Sequence, residues 1–478
     1  MNRIETCLAS LTLVSVLSAG AGAGAAAQTP SGPDRNDGGL NVRNFGAKGD
    51  EKTDDTAAFL RALDACQQAD CGSVYVPSGR YLIKTHLVIP EAVALVGNWQ
   101  APATFEPKAT KIQGSVLLAV EGAGKPEGPP FLTLKTNSVI KGLTIFYPQQ
   151  TNTNPPVAYP WTVATAEGGA TNVSIIDVLM VNPYQAVDFG SYPSARHFIR
   201  NLNCQALYRG IYVDQCGDIG RIENVHLWPF WDESLTSPLA RFTYEHGQGF
   251  IFGRTDWELM VDCFAINFQA GFRFTSNAPP DVSRTGPAPS LKVLPVGNVL
   301  ITGGGSDLSN LAILVEGSQA HAGLSFVNCQ VFGDVIVKRT NEGMIRFTGC
   351  GFFGSMHGQN GVGFAKIDAG RSRISFSNCH FQSLNKQEGM PFIDVLSGRV
   401  SWMNCVFLNS KKTHRGPLPA LPDEREGWNP EHIVLEPGVI SAVIVGNEFY
   451  APARIVNRSN GKVVIADNVD QTDDVVPY

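Results

Sequence analysis

"LSFVNC" (324–329), "IRFTGC" (345–350), "ISFSNC" (374–379) and "VSWMNC" (400–405) repeat one pattern: apolar, any, apolar, any, Asn or Gly, then Cys. Three residues after the Asn or Gly comes Val331, Phe352, Phe381 or Phe407. The cysteines at 329, 350, 379 and 405 are 21, 29 and 26 residues apart in turn. Alternating apolar positions predict short strands, and the Asn or Gly predicts the turn that ends each one. Short-strand repeats of this size predict a solenoid whose coils stack one on the next, with loops of varying length inserted on one face.

Outward from these repeats, "VIVGNEFY" (443–450) reads as a further copy with Glu448 in place of the cysteine, and "NLNCQAL" (201–207) and "VDCFAI" (261–266) as earlier, less regular ones. Inward side chains such as Ile374 and Phe376, or Val400 and Trp402, are expected to stack on their counterparts in neighbouring coils. Asn328, Asn378, Asn404, Asn447 and Asn468 are expected to form an internal amide ladder that satisfies backbone groups at a bend. Cys204, Cys263, Cys329, Cys350, Cys379 and Cys405 then read as buried thiols packing like apolar side chains, not as a disulfide framework. Cys66 and Cys71 stand apart; their spacing fits a local disulfide without establishing one.

Nearer the N-terminus, "NFGAKGDEKTDDTAAFLRALDAC" (44–66) carries five acidic residues. Phe59, Ala62, Leu63 and Cys66 give one apolar face of a short helix, and Thr53, Asp54 and Asp55 sit where its first N–H groups need acceptors. Asp50 is placed to hold the turn around Lys48. This run, followed by "GSVYVPSGRYLI" (72–83) and "LVIPEAVALVG" (87–97), resembles the N-terminal signature of the pectate lyase superfamily, the group with rhamnogalacturonase- and epimerase-like members. The resemblance implies an all-β, single-stranded right-handed parallel β-helix with a short N-terminal capping α-helix. It does not choose an activity.

The organisation that follows is a secretory signal over 1–27, a flexible leader over 28–40, and a β-helix over 41–470. Within the β-helix lie the cap (41–97), groove-forming coils (138–275), regular coils (298–468) and an inserted loop (408–438); a tail covers 471–478. The signal implies a secreted or periplasmic protein, without a membrane span. A formal net charge of -6 offers no basic face for nucleic acid. The nine histidines are scattered and no group has zinc-ligand spacing, so no metal site is expected.

A filled β-helix leaves a polymer only its outer surface. Residues 182–275 hold the densest mix of aromatic and charged groups, with Trp228, Trp231 and Trp257 in it and Trp161 just upstream. The candidate catalytic groups are Asp214, Asp256, Glu258 and His246, with His226 a further acid/base candidate. Trp228, Trp231, Arg209, Tyr212 and Arg254 are the candidate substrate-binding residues. Asp214 closes the strand "GIYV". Strand alternation puts Asp256 and Glu258 on one face opposite Trp257, whereas the repeat template turns Glu258 and Met260 inward; the sequence leaves both phases open. The N-T-D, Asp-Asp, G-H-G and R-I-K segments that polygalacturonase-type hydrolases share do not occur here in that order, so their mechanism does not transfer.

The function expected is that of an exported carbohydrate-active enzyme cutting a pectin-like or other uronate-containing polysaccharide by carboxylate-based hydrolysis. The alternatives are a lyase working by β-elimination and a non-catalytic glycan-binding or structural β-helix. No cofactor is expected, with Ca2+ entering only under elimination. The protein is expected as a monomer or homotrimer.

Overall fold

Why the chain coils is visible at each turn. In the 374–379 segment, Ile374 and Phe376 are buried, and Asn378 ends the strand by entering the left-handed region at φ 53°. Asn328 and Asn404 do the same at 53° and 54°, and Gly349 and Gly446 occupy the equivalent turn at 65° and 71°. Asparagine and glycine are the residues that tolerate this conformation.

The computed structural model describes residues 39–102, 112–230, 235–286, 294–355, 360–382, 390–408, 431–449 and 452–470. The signal, most of the leader, Trp231, the tail and most of the inserted loop lie outside them. Among the described residues the named strands pair in parallel, one coil to another. Val299, Leu324, Ile345, Ile374, Val400, Ala442 and Val463 follow one another in register through seven successive coils. The inward rings repeat at the strand spacing. Phe326, Phe347, Phe376 and Trp402 stack with centroids 4.8, 4.9 and 5.3 Å apart. Phe352, Phe381, Phe407 and Phe449 do so at 4.8, 4.6 and 4.7 Å.

The cysteine row is as expected: all six thiols are free and buried. The amide ladder is not. Asn328, Asn378 and Asn404 are exposed turn residues. Only Asn447 and Asn468 point inward, where they continue the cysteine row: Cys405 N donates to Asn447 Oδ1 at 2.9 Å, and Asn447 Nδ2 donates to Asn468 Oδ1 at 2.9 Å. Since Val406 pairs with Glu448 and Phe407 with Phe449, Asn447 stands in the cysteine place and Glu448 one step beyond it.

At the N-terminal end, α1 (Thr56–Ala69) lays Phe59, Ala62, Leu63 and Cys66 on the first coils. Cys66 and Cys71 form a disulfide across its C-terminal end. Asp54 Oδ1 accepts from Thr56 N at 3.1 Å, as a capping carboxylate does. Asp55 does not cap with its side chain; it is buried and takes Lys48 N at 2.6 Å and Gly49 N at 3.0 Å, while Asp50 accepts from Lys52 N and Thr53 N. The coil also runs through the proposed inserted loop: Ile433–Val445 is strand, paired with Ile393–Met403, so an insertion begins after Leu408 and ends before Ile433.

One strand row positions the site. Its members are β1 (Trp161–Thr165), β2 (Gln185–Phe189), β3 (Arg209–Val213), β4 (Gln248–Phe252), β5 (Ala270–Phe274), β6 (Leu311–Val315) and β7 (Asp334–Val337). Successive strands pair directly, from Trp161 with Gln185 to Leu311 with Asp334. The helix α2 (Pro238–His246) and the segment 277–286 lie against its outer side.

Candidate active site on the outer strand row

Val187, Ile211, Phe250 and Phe272 point into the core, so alternation turns Asp188, Tyr212, Ile251 and Arg273 outward in a line across β2 to β5. Arg273 is the hub. Its Nη1 meets Asp281 Oδ2 at 2.6 Å and Gln248 Oε1 at 3.0 Å, and its Nε meets Glu316 Oε2 at 2.9 Å. Lys338 Nζ holds the other Glu316 oxygen at 2.9 Å. Arg209 joins from β3, donating to Asp281 O at 2.9 Å and His246 O at 3.1 Å, with its guanidinium 3.5 Å over the Tyr208 ring.

Electrostatics hold both carboxylates ionised. Burial pushes Asp281 and Glu316 up, but hydrogen bonds and charge from Arg273, aided by Lys338 at Glu316, bring both below the ordinary carboxylate range. Arg273 loses from burial and gains more from its two partners, so it stays a cation. The Asp281 side chain is 44% exposed, and those of Lys338 and His246 are 52% and 53% exposed, so the row is open to solvent. From β3 to β7 it crosses four strand spacings, about 19 Å, long enough for several sugar rings.

The residues read from the sequence are scattered over several places. Arg209 lies on this row, and His246 ends α2 beside it, its carbonyl accepting from Arg209 and its ring against Phe242. Tyr212 and Asp214 lie on the same outer side but are enclosed beneath 277–286. Asp214 Oδ2 accepts from Tyr212 OH at 2.6 Å and Ala278 N at 2.7 Å, and Oδ1 from Gln215 N and Arg254 N at 2.7 and 2.8 Å. Burial raises its pKa despite these donors. Asp188 is enclosed likewise, with Gly190 N, Ser191 N and Thr285 Oγ1 on its oxygens. Together they anchor 277–286 to the coil. Arg254 and Asp256 pair with each other at 2.8 Å at the edge of this face.

Glu258 is elsewhere, inside the solenoid beside His197. The inward phase of the repeat template is therefore the observed one, and Trp257 and Asp256 both face outward. Trp228 lies against the His226 ring, centroids 4.7 Å apart and planes 7° apart, over the Ile112, Phe146 and Phe230 cluster, so packing occupies it. Burial lowers the His226 pKa.

The sequence reading did not single out Arg273, Asp281, Glu316 or Lys338. A signal existed in "GFRF", where Arg273 alternates with two inward phenylalanines, and in Glu316 and Lys338, each the first charge after an apolar strand.

The stacked parallel coils and filled interior define a right-handed parallel β-helix. Residues 39–216 match the family described as rhamnogalacturonase A/epimerase, pectate lyase-like. Among curated relatives, alginate lyase 7 of Azotobacter vinelandii is 58% identical over 43 residues, which are 9% of this chain and 5% of that protein. The glucan 1,3-beta-glucosidase of Cochliobolus carbonum is 33% identical over 122 residues, 22% of this chain and 15% of that one. The chain thus spans only a small part of the relatives it matches. Among solved structures, the N-terminal fragment of bacteriophage Phi29 gene product 12 is similar at a TM-score of 0.56 and 13% identity, covering 90% of this chain and 70% of that one. That likeness concerns the fold. Among the described residues, no helix is long and apolar enough to cross a membrane.

Proposed function

We propose that this protein is an exported enzyme that cleaves a uronate-containing polysaccharide lying along the outer row from Arg209 to Lys338. The observation that carries this reading is the Arg273 hub, whose buried guanidinium holds two partly exposed carboxylates, Asp281 and Glu316, on either side of it. The bonded oxygens are separated by no more than the two contacts, 2.6 and 2.9 Å, plus the width of the guanidinium. Carboxyl groups roughly 5–9.5 Å apart are what glycoside hydrolysis uses. In this reading Glu316 or Asp281 activates water or attacks the sugar, and His246 supplies the proton for the leaving oxygen. Lys338, the exposed cation of the row, binds acidic groups of the polymer, while the buried Arg209 and Arg273 hold the carboxylates in place. The relatives support the class, since an alginate lyase and a glucosidase both act on carbohydrate by name.

A second reading, β-elimination, is favoured by one observation. Both carboxylates of the hub are held ionised, so neither is the protonated acid of a hydrolase. Under elimination Lys338 neutralises the uronate carboxylate and His246 takes the proton. A panel of pectic, alginate and glucan polysaccharides, followed for reducing ends and for ultraviolet absorbance of unsaturated uronates, separates the readings. Reducing ends without absorbance are the expected result; both signals together assign elimination. Neither signal across the panel contradicts cleavage of these substrates.

A further inference from the structure

Inside the solenoid, coil stacking gathers three side chains that neither the outer row nor the apolar core uses. His197, Cys216 and Glu258 are all completely buried, and one donor atom from each lies within 4.8 Å of the other two. In sequence they are 19 and 42 residues apart, a spacing no linear motif would reveal. His197 Nε2 stands 2.9 Å from Glu258 Oε1, while Glu258 Oε2 and His197 Nδ1 have no hydrogen-bond partner.

Gly220 makes the space. It pairs with Glu258 of the next coil, and Arg221 N donates to His197 O of the previous one. A Cβ on Gly220 would lie 2.3 Å from Glu258 Oε2 and 2.4 Å from His197 Nε2. The imidazole and carboxylate therefore meet through the gap left by a missing side chain. Thr255, the ladder partner of Cys216, is buried as well, and its Oγ1 also lacks a partner.

Unpartnered polar atoms in a dry interior are costly, and here Glu258 Oε2 and His197 Nδ1 belong to side chains gathered beside a thiol. Thiolate, imidazole and carboxylate together form a donor set suited to Zn2+, and a four-coordinate structural site needs one more small donor. We propose that His197, Cys216 and Glu258 form a buried structural zinc site, with a water in the fourth position. The thiol gives up its proton on binding, and the dication balances the thiolate and the Glu258 carboxylate. With no solvent path to it, the ion enters as the coils close and staples three of them together.

The test uses the whole chain, unfolded, stripped with chelator and refolded with Zn2+ or Co2+ as the only added metal, followed by desalting. The expected result is about one zinc per chain by elemental analysis, and a thiolate-to-cobalt charge-transfer band in the cobalt form. Cys216→Ser is expected to lose the band and Glu258→Gln to lose most of the metal. Cys263→Ser, at a buried thiol outside the cluster, keeps both. A wild-type chain that refolds without retaining metal, or a cobalt form lacking the thiolate band, overturns the proposal even if no variant folds. Retention of metal and band by a folded Cys216→Ser overturns it too.

Discussion

Asp54 and Asp55 are neighbours with different work. Asp54 caps α1 from an exposed position, whereas Asp55 is buried and satisfies two backbone N–H groups of the preceding turn. Removing Asp55 strands those donors, so Asp55→Ala is expected to cost about 1–3 kcal/mol. Asp54→Ala is expected to cost about 1 kcal/mol or less. Urea unfolding of the two variants checks the order, and a larger loss at Asp54 would contradict it. Sequence placed both residues at the helix start, but burial decides which group each carboxylate serves. Asp334 tests a pH effect. Burial pushes it up to about 6, with Ser355 and Asn360 donating to it. A folded pKa above the unfolded value makes the folded state bind the extra proton, so stability is greatest below about pH 4 and falls as pH rises through about 6. The difference in unfolding free energy between the wild type and Asp334→Asn should therefore change by about 2–3 kcal/mol between pH 4 and 7. A constant difference would show that Asp334 titrates normally.

At the scale of the coil, stability comes from side chains that repeat in register. Phe376 lies between Phe347 and Trp402, so Phe376→Ala opens a cavity with rings on both sides and is expected to cost about 3–5 kcal/mol. Asn378 presents the opposite case, an exposed residue kept for its backbone angle. Asn378→Gly should be close to neutral and Asn378→Ala should cost about 1 kcal/mol. Equal losses in both would argue that the side chain, and not φ, matters there. The strands, their inward residues and the cysteine row were legible because alternation with period two writes them directly. The outward position of Asn328, Asn378 and Asn404 was not, since an amide ladder and a left-handed turn draw on the same residue type and only register separates them. The phase of Glu258 was open for a similar reason: one residue of slip exchanges interior and exterior.

For the molecule as a whole, function follows from which residues the coils bring side by side. The N-terminal signature made the fold readable over residues 41–97. Of the residues on or beside the outer row, the sequence reading named Arg209 and His246; Arg273 lies within 182–275 but was not singled out, and Glu316 and Lys338 come from coils that read only as repeats. A solenoid converts a sequence separation of one coil into a neighbour about 4.8 Å away, and no local pattern records that. The enclosed Asp214 and interior Glu258 show the converse, acids whose chain position suggested a groove and whose surroundings close them off. On the polysaccharide found to be cleaved, the most direct measurement is kcat/KM of Glu316→Gln, with folding verified by unfolding midpoint. The outer row as the working face predicts a loss of about 100-fold or more. Turnover equal to wild type by a folded Glu316→Gln would contradict it.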